Sequence, residues 1–576
     1  MAATNQFNTH EVNNQPFTLA NYNAWLTDIA LMEAVAREGA GWAKDHLSEF
    51  GARTGGDMMA SGFLANENPP KLRTFDSYGR RLDEVEFHPA YHELMTAGVK
   101  YGMNNFAWRN ENRESAHVAR AAVMYLGSQP EAGFGCPMSM SYAAIPALRH
   151  TPQIAEKWLP KLLSQQYDPR SLPMEQKLGC TMGMGMTEKQ GGSDLRRNTT
   201  RATRQEDCTY EIIGHKWFFS APMCDAHLVL AQSENGLSCF LVPRFRPDGT
   251  KNAVRIQRLK DKLGDWANAS SEVEFHGAFG ELVGVEGRGI ATIIEMVALT
   301  RLDCMIGSAA QMRQAIVQAI HHTSQREAFG KLLIDQPIMR NVIADLALES
   351  EAALALTMRI ARAVGMIETD PHEAALARIA TAIGKYWICK RTPVLINEAQ
   401  ECLGGNGYVE ENIMPRLYRQ APLNSIWEGS GNVQCLDVLR ALNKEPETRD
   451  ALFAELQKSA GKNLHFDAEL SLLAGRFDDT ATLEFRSRYV IERLALMLQA
   501  SILLSSDNTK VAEAFCRSRL TGEHGLAFGT LSPDAPIDLL IKRAAGATEA
   551  LALQNLQQSL GKPLTTTEVD SGTVIG

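Results

Sequence analysis

Apolar residues recur at three- and four-residue intervals over Asp28–Ala40 and Arg113–Leu126, the spacing of amphipathic helices. Loops are expected between them near Gly51 to Pro70. From about Leu178 to Val283 the pattern changes. Short runs rich in branched and aromatic residues (Tyr210–Phe219, His227–Ala231, Ser238–Val242, Ser271–Phe275) are punctuated by Gly, Pro, Asp and Asn, which predicts a small antiparallel β domain. Met182, Met184 and Met186 alternate with Gly183 and Gly185. That period of two predicts a strand with its methionines on one face, either filling core or facing a flat ring that glycine lets approach the backbone.

Beyond Gly289 the helical pattern returns over Ile290–Ile320, Pro337–Gly365 and His372–Leu403. Further helices are expected over Phe485–Leu504, Asn508–Leu520 and Pro536–Leu560, with a disordered polar tip after Pro563. Helices, then strands, then helices make an α+β multidomain chain and exclude the alternation of a Rossmann fold. We place an N-terminal helical domain over residues 1–181, a β domain over 182–286, a helical bundle over 287–443 and an extra helical domain over 444–576.

Composition narrows the partners. A chain of 576 residues is too long for one core, and 45% apolar with 22% charged residues is ordinary for a globular protein. A formal net charge of -9 argues against a basic surface as a whole. The ten cysteines show no C-x-x-C pair, so neither a zinc site nor a disulfide framework is expected and the metal set is empty. The N-terminus lacks a basic-then-apolar leader, and no apolar run reaches the roughly 18 residues of a membrane helix. A soluble cytoplasmic protein with no membrane partner is expected.

Five short motifs carry the candidate chemistry: Met186–Asp194, Lys216–Ser220, Arg326–Gly330, Leu403–Tyr408 and Trp427–Asn432. Locally, Thr187, Glu188, Gly191, Gly192 and Ser193 suit a cap or a turn. Trp217, Phe218, Phe219 and Ser220 suit a half-buried strand, and Gly330 suits a helix end. In this order the five resemble the acyl-CoA dehydrogenase family of flavoproteins. The resemblance implies a β-barrel between helical domains, FAD as cofactor, and a base opposite the flavin. It implies that Thr187 and Ser193 contact the flavin edge and pyrophosphate. Phe218 would cover one flavin face with Phe219 beside it, and Ser220 would reach the N5 region. Arg326, Phe329 and Gln336 would serve the cofactor of a neighbouring subunit, Arg326 with two parallel donors for the pyrophosphate. Gly404 and Gly405 form the following turn, where Glu401 stands in place of the family's usual Gln. Met184, Met186, Trp427, Gly429, Ser430 and Asn432 complete the expected cofactor set.

Glu428 matches the family's catalytic carboxylate. An apolar pocket would raise its pKa toward the working pH, and its own N–H would polarise the thioester carbonyl. Arg440, twelve residues on, is expected to pair with Glu428, and Arg301 to lie near the CoA side. Longer blocks (Ala34–Trp42, Leu64–Pro70, Gly185–Asp194, Gly214–Ser220, Asn424–Leu439) resemble family members tied to the alkylation response. They imply a homotetramer, a dimer of dimers. They imply too that it binds double-stranded DNA through the C-terminal domain, protects DNA or destroys alkylating agents, and has weak acyl-CoA dehydrogenase activity. Residues 441–576 hold fourteen Lys plus Arg against eighteen Asp plus Glu, so DNA would need a local stripe drawn from Arg486, Arg488, Arg493, Arg517, Arg519, Lys542 and Arg543. The alternatives are a metabolic dehydrogenase of short or branched acyl-CoA, and a DNA-shielding protein with a vestigial flavin.

Overall fold

The computed structural model describes residues 9–546. Helices α1 (Ile29–Arg37), α2 (Lys44–Thr54), α3 (Asp57–Glu67), α4 (Pro89–Tyr101), α5 (Phe106–Arg109), α6 (Ala116–Gly127), α7 (Gly135–Arg149) and α8 (Pro152–Leu162) form the first layer. Gly51 to Pro70 is largely helical, contrary to the expected loops. Its glycines answer close packing instead: a Cβ on Gly51 would lie 2.5 Å from Asn23 Oδ1, and one on Gly62 would lie 2.3 Å from Pro130 O. Between α3 and α4 stands an unanticipated antiparallel hairpin, β1 (Lys71–Phe75) and β2 (Arg81–Glu86).

The second layer is a sheet of β3 (Met182–Gly185), β4 (Arg201–Arg204), β5 (Tyr210–Ser220), β6 (Ala226–Ser233), β7 (Gly236–Pro243), β8 (Val254–Leu259) and β9 (Ser270–Val283). Pairings β6–β4–β5–β9–β7 close through β7–β6 into a barrel, with β3 added on β6 and β8 on β9. The sheet is mixed rather than antiparallel, because β3 and β4 both run parallel to β6. Ile212, Phe219, Val229, Phe240, Val273 and Phe275 fill the barrel.

After the barrel come α9 (Gly289–Thr323), the two-residue strands β10 (Glu327–Ala328) and β11 (Lys331–Leu332), α10 (Pro337–Gly365), α11 (Pro371–Glu401), α12 (Met414–Gln420) and α13 (Gly431–Lys444). Every residue of α9 from Leu302 to Thr323 is buried, which makes it the central post of the molecule rather than an amphipathic surface helix. Arg120 of α6 ties to it through a fully buried ion pair with Asp303. The remaining helices are α14 (Pro446–Gln457), α15 (Leu464–Leu473), α16 (Leu483–Leu504), α17 (Thr509–Leu520) and α18 (Ile537–Ala545). The expected continuation of the last helix to Leu560 and the polar tip lie outside the described residues. Among the described residues no helix is long and apolar enough to cross a membrane, and no cluster of His, Cys, Asp and Glu is set to hold a metal.

Candidate active site

The first two motifs are joined through a buried ion pair. Glu188 on the loop after β3 and Lys216 on β5 meet at 2.8 Å, both almost wholly buried. Glu188 also accepts from the N–H groups of Thr199 and Thr200. Burial alone would raise its carboxyl, but Lys216 and these donors hold it down at about 2. The pair fixes the loop on the strand, with the Trp217 N–H donating to Thr187 O at 2.9 Å. The Thr187 hydroxyl lies over Gly192, where a Cβ would come within 2.4 Å of it, and Ser193 follows exposed.

On β5 the side chains alternate. Phe218 is 59% exposed and Ser220 shares its face, whereas Phe219 points into the barrel. The expectation that Phe219 flanks a flavin is therefore corrected. Its ring fills the space left by Gly185 and stacks on His227 at 3.9 Å, and His227 in turn fills the space at Gly183. The glycines of β3 admit these two rings rather than a cofactor. Met184 is buried in the main core, with Met186 packed partly buried at its edge. The Ser220 hydroxyl lies beside the Cys136 thiol, which burial pushes up to about 12 and which lies within reach of the charges of Lys262, Asp265 and Glu428.

Glu428 sits in the loop between α12 and α13 with φ of +56°, a left-handed conformation that costs a non-glycine residue. Gly429 continues it at +91°. Glu428 Oε2 accepts from the Thr300 hydroxyl at 2.7 Å, and its carbonyl accepts from Arg301 Nε and Gln434 Nε2, each at 3.0 Å. Beneath the loop the buried ammonium of Lys385 donates to the carbonyls of Asn424 (3.0 Å), Trp427 (2.8 Å) and Gly429 (2.8 Å). Burial pushes the Glu428 carboxyl above the usual range, and the Thr300 hydrogen bond with the charges of Lys385 and Arg301 offsets part of that push. Trp427 is pinned through Nε1 to Asn424 Oδ1 at 2.8 Å, while Ser430 and Asn432 are exposed where α13 begins.

Arg440 does not pair with Glu428. It is mostly exposed and meets Asp437 Oδ1 at 3.0 Å, because it lies three residues along the same helix from that acid. Asp437 also takes Arg301 (2.8 Å) and Arg378 (3.0 Å). Thr300, Arg378, Lys385, Gln434 and Asp437 escaped the sequence reading. A signal existed: over Ala374–Cys389 the only charged residues are Arg378 and Lys385, seven apart and so on one face of α11.

The other motifs lie elsewhere. α9 ends at Thr323, and Arg326–Leu332 is a tight hairpin, not a helix end. Phe329 (φ +55°) and Gly330 (φ +77°) form its two-residue turn with both residues left-handed. Phe329 is 99% exposed, which is informative for a side chain that folding usually hides. Arg326 donates Nη1 to the Asn14 carbonyl at 2.5 Å, and Gln336 Nε2 donates to Ala328 O at 3.1 Å. Gly404 and Gly405 form an open turn with nothing within 4 Å of either would-be Cβ, and Glu401 faces solvent. At about 1.5 Å per residue, Thr300 and the end of α9 are roughly 35 Å apart, and Lys385 and the end of α11 roughly 24 Å. One chain therefore holds the Glu428 loop, at the middle of α11, well apart from the hairpin and the glycine turn that follow the C-terminal ends of α9 and α11.

The expected basic stripe is largely neutralised. Helices α16 and α17 are neighbours, with Arg493 donating to the carbonyl of Arg519 at 3.2 Å. But Arg519 is buried on Asp345 (2.5 Å) and Glu349 (3.1 Å), and Arg543 on Glu33 (2.5 Å) and Glu351 (2.7 Å). Arg493 pairs with Glu469 at 2.8 Å, Arg517 with Glu523 and Asp534, and Arg486 with Asp479 at 3.7 Å. Arg488 lies on Tyr386, and Lys542 is exposed. Buried cations need partners, and these bind the C-terminal helices to the rest of the protein.

Three family models match in succession: the adaptive response protein AidB N-terminal domain over residues 14–169, the acyl-CoA dehydrogenase middle domain over 183–278 and the acyl-CoA dehydrogenase C-terminal domain over 287–443. The putative acyl-CoA dehydrogenase AidB of Escherichia coli K12 is 48% identical over 540 residues, 93% of this chain and 99% of that one. The chain belongs to the acyl-CoA dehydrogenase family. Acyl-CoA dehydrogenase family member 11 of Caenorhabditis elegans is 28% identical over 80% of this chain and 74% of its own length. The crystal structure of Caenorhabditis elegans ACDH-11 in complex with C11-CoA superposes with a TM-score of 0.80 over 98% of this chain and all of that one, at 23% identity, and shows the same fold. As a member of this family the protein is a FAD-dependent oxidoreductase. Its donor set fits that cofactor, with exposed Phe218 as a flat apolar platform, Thr187, Ser193 and Ser220 as hydroxyls, Arg326 as a cation and the open backbone of Gly404 and Gly405.

Proposed function

We propose that the protein oxidises the Cα–Cβ bond of an acyl thioester, with Glu428 as the base. The observation that carries this is the left-handed Glu428 loop, whose half-buried carboxyl is aimed by Thr300 and whose backbone is held by Lys385, Arg301 and Gln434. Glu428 removes the α proton, and its raised pKa makes its carboxylate a stronger base than an exposed one. The Glu428 N–H, which has no backbone partner among the described residues, donates to the thioester carbonyl as charge develops there. Bound FAD supplies the acceptor for the hydride leaving the β carbon. Phe218 and Ser220 seat the ring with Thr187, Met186 and the Trp427–Gly429 backbone, and Ser193 meets the diphosphate. Arg326, Phe329, Gln336, Gly404 and Gly405 of a second copy take the dinucleotide tail. The 35 Å and 24 Å spans along α9 and α11 support that division, so the smallest complete unit is a homodimer, which the tetramer doubles. Glu428→Gln should keep FAD yet lower electron-acceptor reduction with short and branched acyl-CoA by about a hundredfold or more. An unchanged rate would remove Glu428 as the base.

The near full-length likeness to Escherichia coli AidB supports a cytoplasmic role in the response to DNA alkylation, shielding DNA or destroying the alkylating agent. A duplex-DNA partner rests on that likeness alone, since the C-terminal arginines are mostly paired with acids. Mobility shifts across a salt series should show retardation at low salt that fades as salt rises. Free duplex at every salt concentration would leave the metabolic dehydrogenase as the reading.

A further inference from the structure

Residues 14–28 run antiparallel to the second half of α9. Thr27 O accepts from Arg313 Nη2 at 2.7 Å, and Tyr22 Oη donates to Gln314 Oε1 at 3.0 Å. Phe17 O meets His321 Nε2 at 2.7 Å, and the Phe17 N–H donates to Gln325 Oε1 at 3.1 Å. The strap ends on the hairpin base. Asn14 Nδ2 donates to Glu327 O at 2.9 Å, and Asn14 Oδ1 accepts the Glu327 N–H at 2.7 Å. The Asn14 carbonyl takes Arg326 Nη1, and Gln15 Oε1 accepts from Asn406 in the glycine turn at 3.4 Å. One short segment therefore joins Arg326, the Phe329 hairpin and the Gly404–Gly407 turn.

Asn14 itself has φ of +52°, a conformation that asparagine tolerates better than most residues. That turn aims its amide at the Glu327 backbone and its carbonyl at the guanidinium at once. A guanidinium has five donors in a fixed plane. Holding Nη1 on a carbonyl fixes that plane while the Nε and Nη2 edge keeps the spacing for two diphosphate oxygens. Left alone, Arg326 would sample several rotamers on an exposed two-stranded hairpin, and ordering it would cost binding energy each time.

The geometry points to Asn14 as a positioning residue for the diphosphate half of FAD. It presets Arg326 and the hairpin for a cofactor that reaches them from a second copy. This rests on the assignment of Arg326 to the diphosphate. The part played by Asn14 is mechanical: it touches the hairpin, not the ligand.

The test is a titration of flavin-stripped full-length protein with FAD and, separately, with FMN, which lacks the second phosphate and the adenosine. Asn14→Gly keeps the left-handed backbone and the carbonyl but removes both side-chain bonds. It should raise the Kd for FAD about tenfold, because the hairpin and its guanidinium must then be ordered at each binding event, and leave that for FMN unchanged. Deleting residues 2–16 should weaken FAD further, again without touching FMN. Native mass and the unfolding temperature of the stripped protein should match wild type. Arg326→Ala serves as the reference. If Arg326→Ala weakens FAD and neither strap variant does, the strap proposal falls while the Arg326 assignment stands. If Arg326→Ala leaves FAD binding intact, the assignment beneath it fails as well. Equal weakening of FAD and FMN, or loss of FAD only with dissociation of the assembly, would reduce Asn14 to a structural contact and overturn the proposal.

Discussion

The Glu428 loop and the Phe329 hairpin, set well apart along α9 and α11, are the two ends of the proposed cofactor site and are built on opposite principles. At one end the Glu428 loop is closed by its own chain. Lys385 fills three loop carbonyls, Arg301 and Gln434 share the Glu428 carbonyl, and Thr300 takes its carboxyl. At the other end Phe329 stands almost wholly in solvent on a two-residue turn, and the glycines at 404 and 405 face open space. The first end has no need of a second copy to set its geometry, whereas the second has little to hold without one. Base chemistry and cofactor retention should therefore respond to different substitutions.

The largest effect is expected from Lys385→Met. It leaves the Asn424 and Trp427 carbonyls without their donor, Gly429 O keeping Gln434 alone, and removes a positive charge from below Glu428, a loss on the order of 3–5 kcal/mol. Turnover should fall steeply in whatever protein folds. The remaining activity carries a sign that can be worked out. Lys385 lowers the Glu428 pKa against the upward push of burial. Without it the carboxyl ionises at higher pH, so the acid limb of kcat/KM should move to higher pH in an acyl-CoA assay. An unmoved limb would show that Lys385 does not reach Glu428 electrostatically.

Phe329→Ala comes next and should act at the other end only. The hairpin already supports a left-handed turn there, so the fold gains or loses little. We expect FAD to be lost on dilution and gel filtration, with roughly a tenfold weaker Kd, while the acid limb of the pH profile stays in place for protein saturated with FAD. A shifted limb would mean that the two ends are coupled and would break the comparison.

Much of this was legible in the chain. Hydrophobic periodicity marked α10 over Pro337–Gly365 and the strands around Phe240, since those patterns report burial directly. The motifs singled out Thr187, Phe218, Arg326 and Glu428 as candidates for the proposed site. Three things were hidden. Glycines at 51 and 62 read as loop but serve helix contact, because a missing Cβ looks the same in either use. Phe219 read as flavin contact because a period of two leaves open which face is inside until the barrel closes. Arg519 and Arg543 read as part of a stripe because their partners, Asp345, Glu349, Glu351 and Glu33, lie about 170 to 510 residues away in the chain.

The smallest effect separates a charge near the loop from a charge that serves it. Arg440 was expected to pair with Glu428, but it lies outside on Asp437, mostly exposed. Surface pairs of this kind contribute about 0–1 kcal/mol. Asp437 keeps Arg301 and Arg378 when Arg440 is removed, and burial on its own would raise the Asp437 carboxyl, which those two cations hold below the usual range. Arg440→Ala should therefore change kcat by less than about threefold and leave both the pH limb and FAD affinity where they are. Arg301→Lys should cost more, since an ammonium cannot reach the Glu428 carbonyl and Asp437 from two edges of one rigid plane. If Arg440→Ala instead matched Lys385→Met in its pH shift, Arg440 would have to swing onto Glu428 during turnover, and the closed end would be less finished than its hydrogen bonds indicate.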